Sequence, residues 1–321
     1  MPGGGTRTFL DPDHYEASLR EAQIEAVIIS RGKFRARLSW AELHHLQVLR
    51  CEEASPRVAF VHFAPRYTFV TFPTHSAPLP VWRGAEFQAG EIMFHGLDER
   101  LHQLTPGSFV WGVIAADAVQ LEDYGRVLTG KPLPAPLEGR ILRPSRRDVA
   151  RLQRLHAQAC RLAETRPKIL SHPEVARAIE QDLILPLLTC LTDSNACEAG
   201  AAKRHHALVM VRFEEVLAER LSQPLQIPEL CWLIGVGERT LRSCCAEFLG
   251  ISPRRYILLR RLKEVRRALG EARSVTASIS EIARRYGFTQ LGRFAGAYRS
   301  AFGESPSATL RRVSKPRFAA R

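Results

Sequence analysis

The sequence lacks the features that mark membrane, secreted and zinc-binding proteins. The longest apolar run, residues 183–191, is interrupted by Pro186 and falls far short of the roughly 20 residues that a membrane span requires. The seven cysteines are odd in number and include no Cys-x-x-Cys pair, which argues against a disulfide framework and a zinc site. Residues 1–6 contain no apolar stretch typical of a signal peptide. These absences predict a soluble, cytoplasmic protein.

The net positive charge is concentrated at one end of the chain. Residues 1–202 contain 23 Lys+Arg and 23 Asp+Glu, whereas residues 203–321 contain 23 and 10, which accounts for the whole net charge of +13. Such localised charge is typical of proteins that bind polyanions, because each neutralised phosphate releases a counterion. A solvated surface could explain single runs such as Arg260-Arg261 and Arg311-Arg312, but the excess coincides with a repeated motif.

The repeated motif occupies residues 227–236 and again residues 279–288. In the first copy, Pro228 suits the first turn of a helix, and Gly235 suits a left-handed helix end. Each copy precedes a second helix-like stretch that closes in Gly-x-Ser-Pro. The pattern predicts two helix-turn-helix units, at 227–250 and 279–303. A helix from 253 to 271, about 27 Å long, would hold them about one turn of DNA apart.

These motifs resemble the AraC/XylS family of bacterial transcription regulators, and their wording is most similar to the branch containing the ethanolamine-operon regulator. The resemblance covers the last 105 or so residues and rests on Leu230, Gly235-Val236, Arg239-Thr240-Leu241, Gly250-Ile251-Ser252-Pro253, Arg261-Leu262, Ile282-Ala283, Tyr286-Gly287-Phe288, Arg293-Phe294, Phe302-Gly303 and Ser305-Pro306. It implies binding to operator DNA, a small-molecule effector, a homodimer and, for an activator, contact with RNA polymerase.

The first 202 residues are divided into a β-rich and a helical part. Short β-branched and aromatic runs between residues 24 and 116 predict eight to ten strands in a sandwich or barrel. A proline-rich connector at 131–136 then precedes helical stripes. We predict an effector-sensing domain at 1–135, a helical linker and dimerisation region at 136–202, and a DNA-binding domain at 203–313. The fold class is therefore an all-β cupin-like barrel or sandwich, a helical middle and a C-terminal all-α tandem helix-turn-helix.

The residues predicted to contact DNA lie opposite the apolar faces of the two recognition helices. They are Arg239, Thr240, Arg242 and Ser243 in the first, and Gln290, Arg293, Gly296 and Arg299 in the second. An Arg guanidinium matches O6 and N7 of guanine, although each Arg could instead contact a phosphate. Glycine at 292 and 296 indicates either close approach of the helix backbone to DNA or tolerance of weak helix formers. We expect discrimination between bases to be concentrated in the half-site read by Arg239 and Arg242.

Aromatic residues of the predicted strands are candidates for an effector pocket, and two adjacent cysteines have alternative roles. The pocket candidates are Tyr67, Phe69, Trp82, Phe94 and Trp111, which ordinary core packing would also explain. Cys244-Cys245 could form a redox switch or simply be buried.

Cupin enzymes hold a metal with a His-x-His pair, which this sequence lacks, although four histidines (His62, His75, His95 and His102) could still meet inside a barrel. We predict no catalytic residue, metal or cofactor. The alternative functions are a cupin-type enzyme, a DNA-repair alkyl acceptor and a ligand-independent DNA-binding protein.

Overall fold

The structure is a computed structural model that describes residues 2–30, 34–74, 78–192, 194–197, 201–223, 226–272 and 278–314. A β-rich part comes first, followed by a helical middle and a helical C-terminal part, as the sequence predicts. Within these ranges, every helix is too short or too polar to cross a lipid bilayer.

The strands form two antiparallel sheets. They are β1 (Gly3–Phe9), β2 (Ala22–Ile28), β3 (Ala36–Glu42), β4 (Leu46–Glu53), β5 (Arg57–Phe63), β6 (Tyr67–Pro73), β7 (Val81–Trp82), β8 (Ala85–Glu86), β9 (Ile92–Phe94), β10 (Arg100–Thr105), β11 (Phe109–Asp117), β12 (Arg140–Arg143) and β13 (Asn195–Cys197). One sheet has the order β1-β3-β4-β11-β6-β9-β12-β13, and the other has the order β2-β5-β10-β7-β8.

The two sheets share an apolar core, but neither sheet closes on itself. Leu38 and Trp111 from the larger sheet and Val61, Trp82 and Leu101 from the smaller one belong to a single buried cluster. This arrangement is that of a sandwich. A closed cupin-like barrel is not confirmed, because the hydrogen-bonded order ends at an edge strand on each side of both sheets.

Strand β1 lies outside the region where the sequence predicts strands. Its three consecutive glycines have low β-propensity. A side chain at Gly4 would have its Cβ 2.5 Å from Leu170 Cδ1 and 2.8 Å from the carbonyl oxygen of Trp40. Glycine is therefore required there because a helix packs directly on the strand, a contact that no local pattern reveals.

Five helices belong to the described N-terminal and middle parts. They are α1 (Pro12–Glu16), α2 (Ala118–Thr129), α3 (Arg146–Thr165), α4 (Pro167–Leu170) and α5 (Pro173–Thr192). Helix α1 packs on β2 of the smaller sheet, and the middle helices cover the larger sheet. The Asp11 and Ser145 side chains cap α1 and α3 by accepting hydrogen bonds from backbone N–H groups. Helix α3 packs on α5 and on strands β1, β3 and β4.

The C-terminal part contains the remaining helices in tandem. They are α6 (Ala201–Arg220), α7 (Ile227–Ile234), α8 (Glu238–Leu249), α9 (Pro253–Glu271), α10 (Ile279–Arg285), α11 (Leu291–Phe302) and α12 (Pro306–Ser314). This part docks on the smaller sheet, because Val27, Val58 and Leu104 belong to the same buried cluster as residues of α6, α8 and α9. The smaller sheet and the first helix-turn-helix are therefore packed into one continuous core.

Candidate nucleic-acid interface

The turn between α7 and α8 is fixed by backbone hydrogen bonds. Gly235 has φ +80°, and its N–H donates to the carbonyl oxygens of Cys231 and Trp232 at 2.9 and 3.2 Å. The N–H of Val236 donates to Cys231 O at 3.0 Å. Glycine adopts this left-handed conformation without the steric cost of a Cβ atom, which explains why the helix ends there. Residues 227–249 therefore form a helix, a glycine turn and a second helix.

Helix α8 turns its predicted reading residues away from the core. Leu241 and Phe248 are buried, whereas Arg239, Arg242 and Ser243 are exposed and Thr240 is half-buried. Arg242 Nη2 lies 2.8 Å from Glu238 Oε2 in an exposed pair. Exposed ion pairs contribute about 0–1 kcal/mol, so a nucleic-acid group could displace Glu238 at little cost.

The second unit has the same architecture with a different outer surface. Ser278 Oγ accepts the N–H of Glu281 at the start of α10, and Gly287 has φ +80° at its end. Phe294 and Tyr298 anchor α11 in the core. Its exposed face contains the predicted residues Gln290, Arg293, Gly296 and Arg299.

Glycine on α11 is not required by packing within the described chain. A Cβ atom added at Gly292 or Gly296 would meet nothing within 4 Å. Two glycines inside a helix cost roughly 1 kcal/mol each relative to alanine. Because Gly292 and Gly296 have no side chains, the helix backbone is uncovered on the side of α11 where Arg293 is exposed. This is compatible with close approach of a nucleic acid to the helix.

Several basic residues of α9 face the protein and not solvent or nucleic acid. The buried Arg260 Nη1 lies 2.9 Å from Glu214 Oε2 on α6. Arg261 donates to the carbonyl oxygens of Leu221 and Gln223. Arg260 is therefore structural and Arg261 is half-buried, so a solvated surface does not explain this run.

Glu214 is the centre of a buried network between the smaller sheet and the C-terminal part. Its Oε1 lies 2.9 Å from His102 Nε2 on β10 and also accepts the hydroxyl of Tyr256 on α9. Burial opposes ionisation of Glu214, but Arg260, His102 and Tyr256 outweigh that effect and lower its pKa to about 2. The carboxylate is thus stabilised in its charged form.

A second contact joins α1 to α9. Lys263 Nζ lies 2.7 Å from Glu16 Oε2 and 3.1 Å from Glu25 Oε2, and Arg266 Nη2 lies 2.7 Å from Asp11 Oδ2. Burial raises the pKa of Glu16 to about 7, although Lys263 opposes the shift. These ion pairs join residues that are far apart in sequence; Glu16 and Lys263 are separated by 247 positions.

The aromatic pocket candidates are only partly brought together. A cavity of about 600 Å³ between the sheets is lined by Phe69, Trp82 and Trp111 among other residues. Phe94 is instead buried in the core beneath the middle helices, and Tyr67 is half-buried, with the Arg66 guanidinium carbon 5.4 Å from its ring centre. Neither Tyr67 nor Phe94 lines the cavity.

The sequence interpretation missed the polar residues of this cavity. Glu53 and Arg57 lie on its wall, with Arg57 Nε 2.5 Å from Glu53 Oε2, and Tyr15 donates its hydroxyl to Glu53 Oε1 at 3.0 Å. A signal was present, because Arg57 alternates in phase with the inward apolar residues of β5. A charge in phase with buried apolar residues indicates a buried polar site.

Three of the four candidate histidines, His62, His95 and His102, are described, and each has its own hydrogen-bond partners. His62 bonds Asp98, His102 bonds Glu214, and the buried His95 contacts Glu99 and Thr71. Burial lowers the pKa of His95 despite Glu99. The described part of the chain contains no group of three or more His, Cys, Asp or Glu residues arranged to hold a metal, and His75 lies outside it.

Cys244 and Cys245 are both fully buried in α8. Burial raises the pKa of the Cys244 thiol to about 11 and raises that of Cys245 further. Both thiols are therefore protonated and inaccessible in this conformation, which favours core packing over a redox switch.

One comparison with known families matches a domain in the C-terminal third of the chain. A family model described as a helix-turn-helix domain matches residues 230–312. The chain is 39% identical over 104 residues to the XylDLEGF operon transcriptional activator of Pseudomonas putida, covering 32% of each chain. It is 36% identical over 99 residues to a probable thc operon regulatory protein of Rhodococcus erythropolis, covering 31% of this chain and 30% of that protein.

One similar solved structure is a probable AraC family transcriptional regulator from Rhodopseudomonas palustris, with 29% identity and a TM-score of 0.31. It matches over 33% of this chain and 98% of its own. The chain thus spans about a third of the length of the curated relatives that it matches.

Proposed function

We propose that the protein is a sequence-specific DNA-binding regulator that responds to a small-molecule effector. The premise is that the C-terminal domain of this chain is a helix-turn-helix domain of the AraC/XylS family of transcription regulators. The observation that carries this proposal is the common exposure of the reading residues. Arg239, Arg242, Arg293 and Arg299 are exposed on two helices, each of which follows a glycine turn.

The connecting helix supports reading of two successive major grooves. Helix α9 contains 19 residues and is roughly 28 Å long at about 1.5 Å per residue. One turn of B-DNA is about 34 Å, so a rigid helix of this length suits two recognition helices on one side of a duplex. Arg239 and Arg242 would contact bases, with Thr240, Ser243 and Gln290 as further polar contacts and Gly296 at the backbone approach.

The response to an effector is supported by α1, which joins the cavity to α9. Adjacent residues of α1 face opposite partners, because Tyr15 lines the cavity and Glu16 pairs with Lys263. A ligand that displaces Tyr15 from Glu53 would also disturb Glu16. We propose that cavity occupancy changes the docking of α9 through this helix, which is a coupling between two sites.

We propose a division into a sensing domain at 1–135, a linker and dimerisation region at 136–202 and a DNA-binding domain at 203–313. We propose that the sensing domain has a cupin-like sandwich fold. A homodimer would form through the helices of the middle region. A protein that binds operator DNA would lie in the bacterial cytoplasm, associated with the nucleoid. If it is an activator, it would contact RNA polymerase there. The matched relatives are named as regulators, which favours a role without catalysis and without a cofactor.

The decisive experiment is selection of random-sequence duplex DNA by the full chain. We expect enrichment of two short elements about 10 base pairs apart. The variant Arg239→Ala/Arg242→Ala should lose the preference in one element. The exposed middle-helix variant Arg151→Ala is the matched control for charge and should retain both elements. Binding without any enriched sequence, fading uniformly as salt rises, would instead indicate a non-specific DNA-binding protein.

A further inference from the structure

The cavity between the sheets has the size and the lining of a small-molecule site. Its volume of about 600 Å³ lies within the range of roughly 300–1,000 Å³ that is typical of ligand pockets. Three of the four tryptophans of the chain, Trp40, Trp82 and Trp111, line it, together with Phe63 and Phe69. Flat aromatic walls of this kind favour a flat, mostly apolar ligand.

In the polar part of this wall, the acceptor atoms of Glu53 and Gln103 receive hydrogen bonds, whereas a donor atom of Arg57 has no partner among the described residues. Glu53 accepts Arg57 Nε at 2.5 Å, Arg57 Nη2 at 2.9 Å and the hydroxyl of Tyr15 at 3.0 Å. Gln103 Oε1 accepts a further bond from Arg57 Nη2 at 2.9 Å. In contrast, Arg57 Nη1 is buried and has no hydrogen-bond partner among the described residues.

Two indole nitrogens of the cavity-lining residues share this property. Trp82 Nε1 and Trp111 Nε1 are buried without a described partner, and their residues are 2% and 3% exposed. Trp82 and Trp111 are adjacent, with ring centres 5.4 Å apart. Among the described residues that line the cavity, every buried polar side-chain atom without a partner is therefore an N–H donor. A ligand that completes these groups must supply acceptor atoms.

The charges of the wall decide between a neutral and an anionic ligand. Three arginines and three glutamates line the cavity, namely Arg7, Arg20, Arg57, Glu21, Glu42 and Glu53, so their formal charges cancel. Arg57 already forms a two-bond pair with Glu53. A ligand carboxylate beside Arg57 would add a second negative charge next to Glu53 in a buried site, which is unfavourable.

We propose that this cavity binds a neutral, flat, mostly apolar small molecule whose carbonyl oxygens accept hydrogen bonds from Arg57 Nη1 and from the indoles of Trp82 and Trp111. This assignment rests on the proposed function and names the class of effector that the regulator would sense. The ligand needs acceptors at one edge and no donor there.

The test compares three bicyclic probes of similar size that differ in one polar group. They are 1-indanone, indane-1-carboxylate and 1-aminoindane, which present a neutral acceptor, an anionic acceptor and a cationic donor. Binding to the full chain is followed through the indole N–H signals in NMR spectra of protein labelled with ¹⁵N-tryptophan. The exposed Trp232 serves as an internal control, and Trp→Phe variants assign the four signals.

We expect 1-indanone to shift the signals of Trp82 and Trp111 but not that of Trp232. It should bind at least about tenfold more tightly than either charged probe, the size expected for one hydrogen bond to a buried charged donor. Equal or tighter binding of the carboxylate or the amine would overturn the proposal. So would the absence of shifts from 1-indanone at about 10 mM, well above the Kd of a weak fragment.

Variants locate the contact on Arg57. Arg57→Gln alone leaves Glu53 buried without its cation, so Glu53→Gln/Arg57→Gln is the preferred variant. Arg37→Gln, a half-buried arginine that is ion-paired with Glu164 outside the cavity wall, is its control. The double variant should weaken 1-indanone binding about tenfold, whereas Arg37→Gln should leave that binding unchanged. Undiminished binding by a folded double variant would refute the role of Arg57. Loss of DNA selection by the parent chain would instead contradict the proposed function, so the two failures are distinguishable.

Discussion

The two helix-turn-helix units have the same turns but different surroundings. The first presents Arg239, Arg242 and Ser243, and its helix α8 packs against strand β10 of the N-terminal sandwich. In the second, α11 alternates arginine with bare glycine backbone, and Tyr298 bonds Thr309 within its own unit at 2.9 Å. The difference separates two tasks. We propose that the first unit combines base reading with attachment to the N-terminal sandwich, whereas the second fixes the position of the protein on DNA.

Buried charge distinguishes the surroundings of the two units in the same way. Glu214 on α6, with Arg260 and Tyr256 on α9, joins the helices that flank the first unit to His102 of the sandwich, and each of these four side chains is almost fully buried. Such a network fixes how the two parts dock, because each charged group requires its partner in that position.

The largest effect is expected from Glu214→Ala. Removing this carboxylate leaves Arg260 buried without a partner, which should lower the free energy of unfolding by about 3–5 kcal/mol. Thr309→Val, on the helix after the second unit, removes hydrogen bonds to Tyr298 and Glu304 but leaves no buried charge without its counter-ion, and it should cost about 1–3 kcal/mol. Denaturant unfolding of both variants measures the difference, and similar costs would remove the proposed distinction between the units.

The second prediction concerns acid. Glu214 has a pKa of about 2 in the folded chain against an ordinary 4.5, so its ionisation stabilises the fold above pH 4.5. That contribution, of order 3 kcal/mol, should disappear as the pH falls from about 4.5 to 2. Unfolding measured at several pH values should show a shallower decline for Glu214→Gln than for the parent. Parallel curves would mean that the network does not hold a depressed pKa.

The third prediction sharpens the contrast in base reading. Arg239→Ala and Arg242→Ala should each lower discrimination by about 1–3 kcal/mol at one base pair of the first half-site. Arg293→Ala should weaken binding to all sequences similarly, as loss of a phosphate contact does. Competition binding with single base substitutions across both half-sites tests this, and equal costs in the two half-sites would exclude the asymmetry.

The smallest effect is expected from Gly296→Ala. Since its Cβ would meet nothing within 4 Å, alanine should stabilise the fold by about 1 kcal/mol through helix propensity. The same methyl group should weaken DNA binding if the backbone of α11 approaches the duplex closely. Thermal unfolding and operator binding are measured together, with Gly270→Ala on α9 as the control. Stabilisation without any loss of binding would favour mere tolerance of glycine.

Local patterns predicted the C-terminal part well. The left-handed ends at Gly235 and Gly287 and the buried Leu241, Phe294 and Tyr298 all follow from short-range spacing. Local patterns failed for β1, where glycine reflects contact with α4, and for Arg260, whose charge faces Glu214. They also failed for the pocket, since Phe94 and Trp82 have similar strand contexts but lie in different cores.

By itself the sequence determined the tandem helix-turn-helix, the placement of the positive charge and the outward residues of both recognition helices. These features depend on contacts within a few turns of the chain, where helix periodicity and glycine conformation decide the outcome. Only the tertiary structure decided the cavity wall and the docking of α9 on the sandwich. Pairs such as Glu16 with Lys263, or Arg57 with Gln103, join residues that are distant in sequence, and their free energy depends on shared burial that no local pattern encodes.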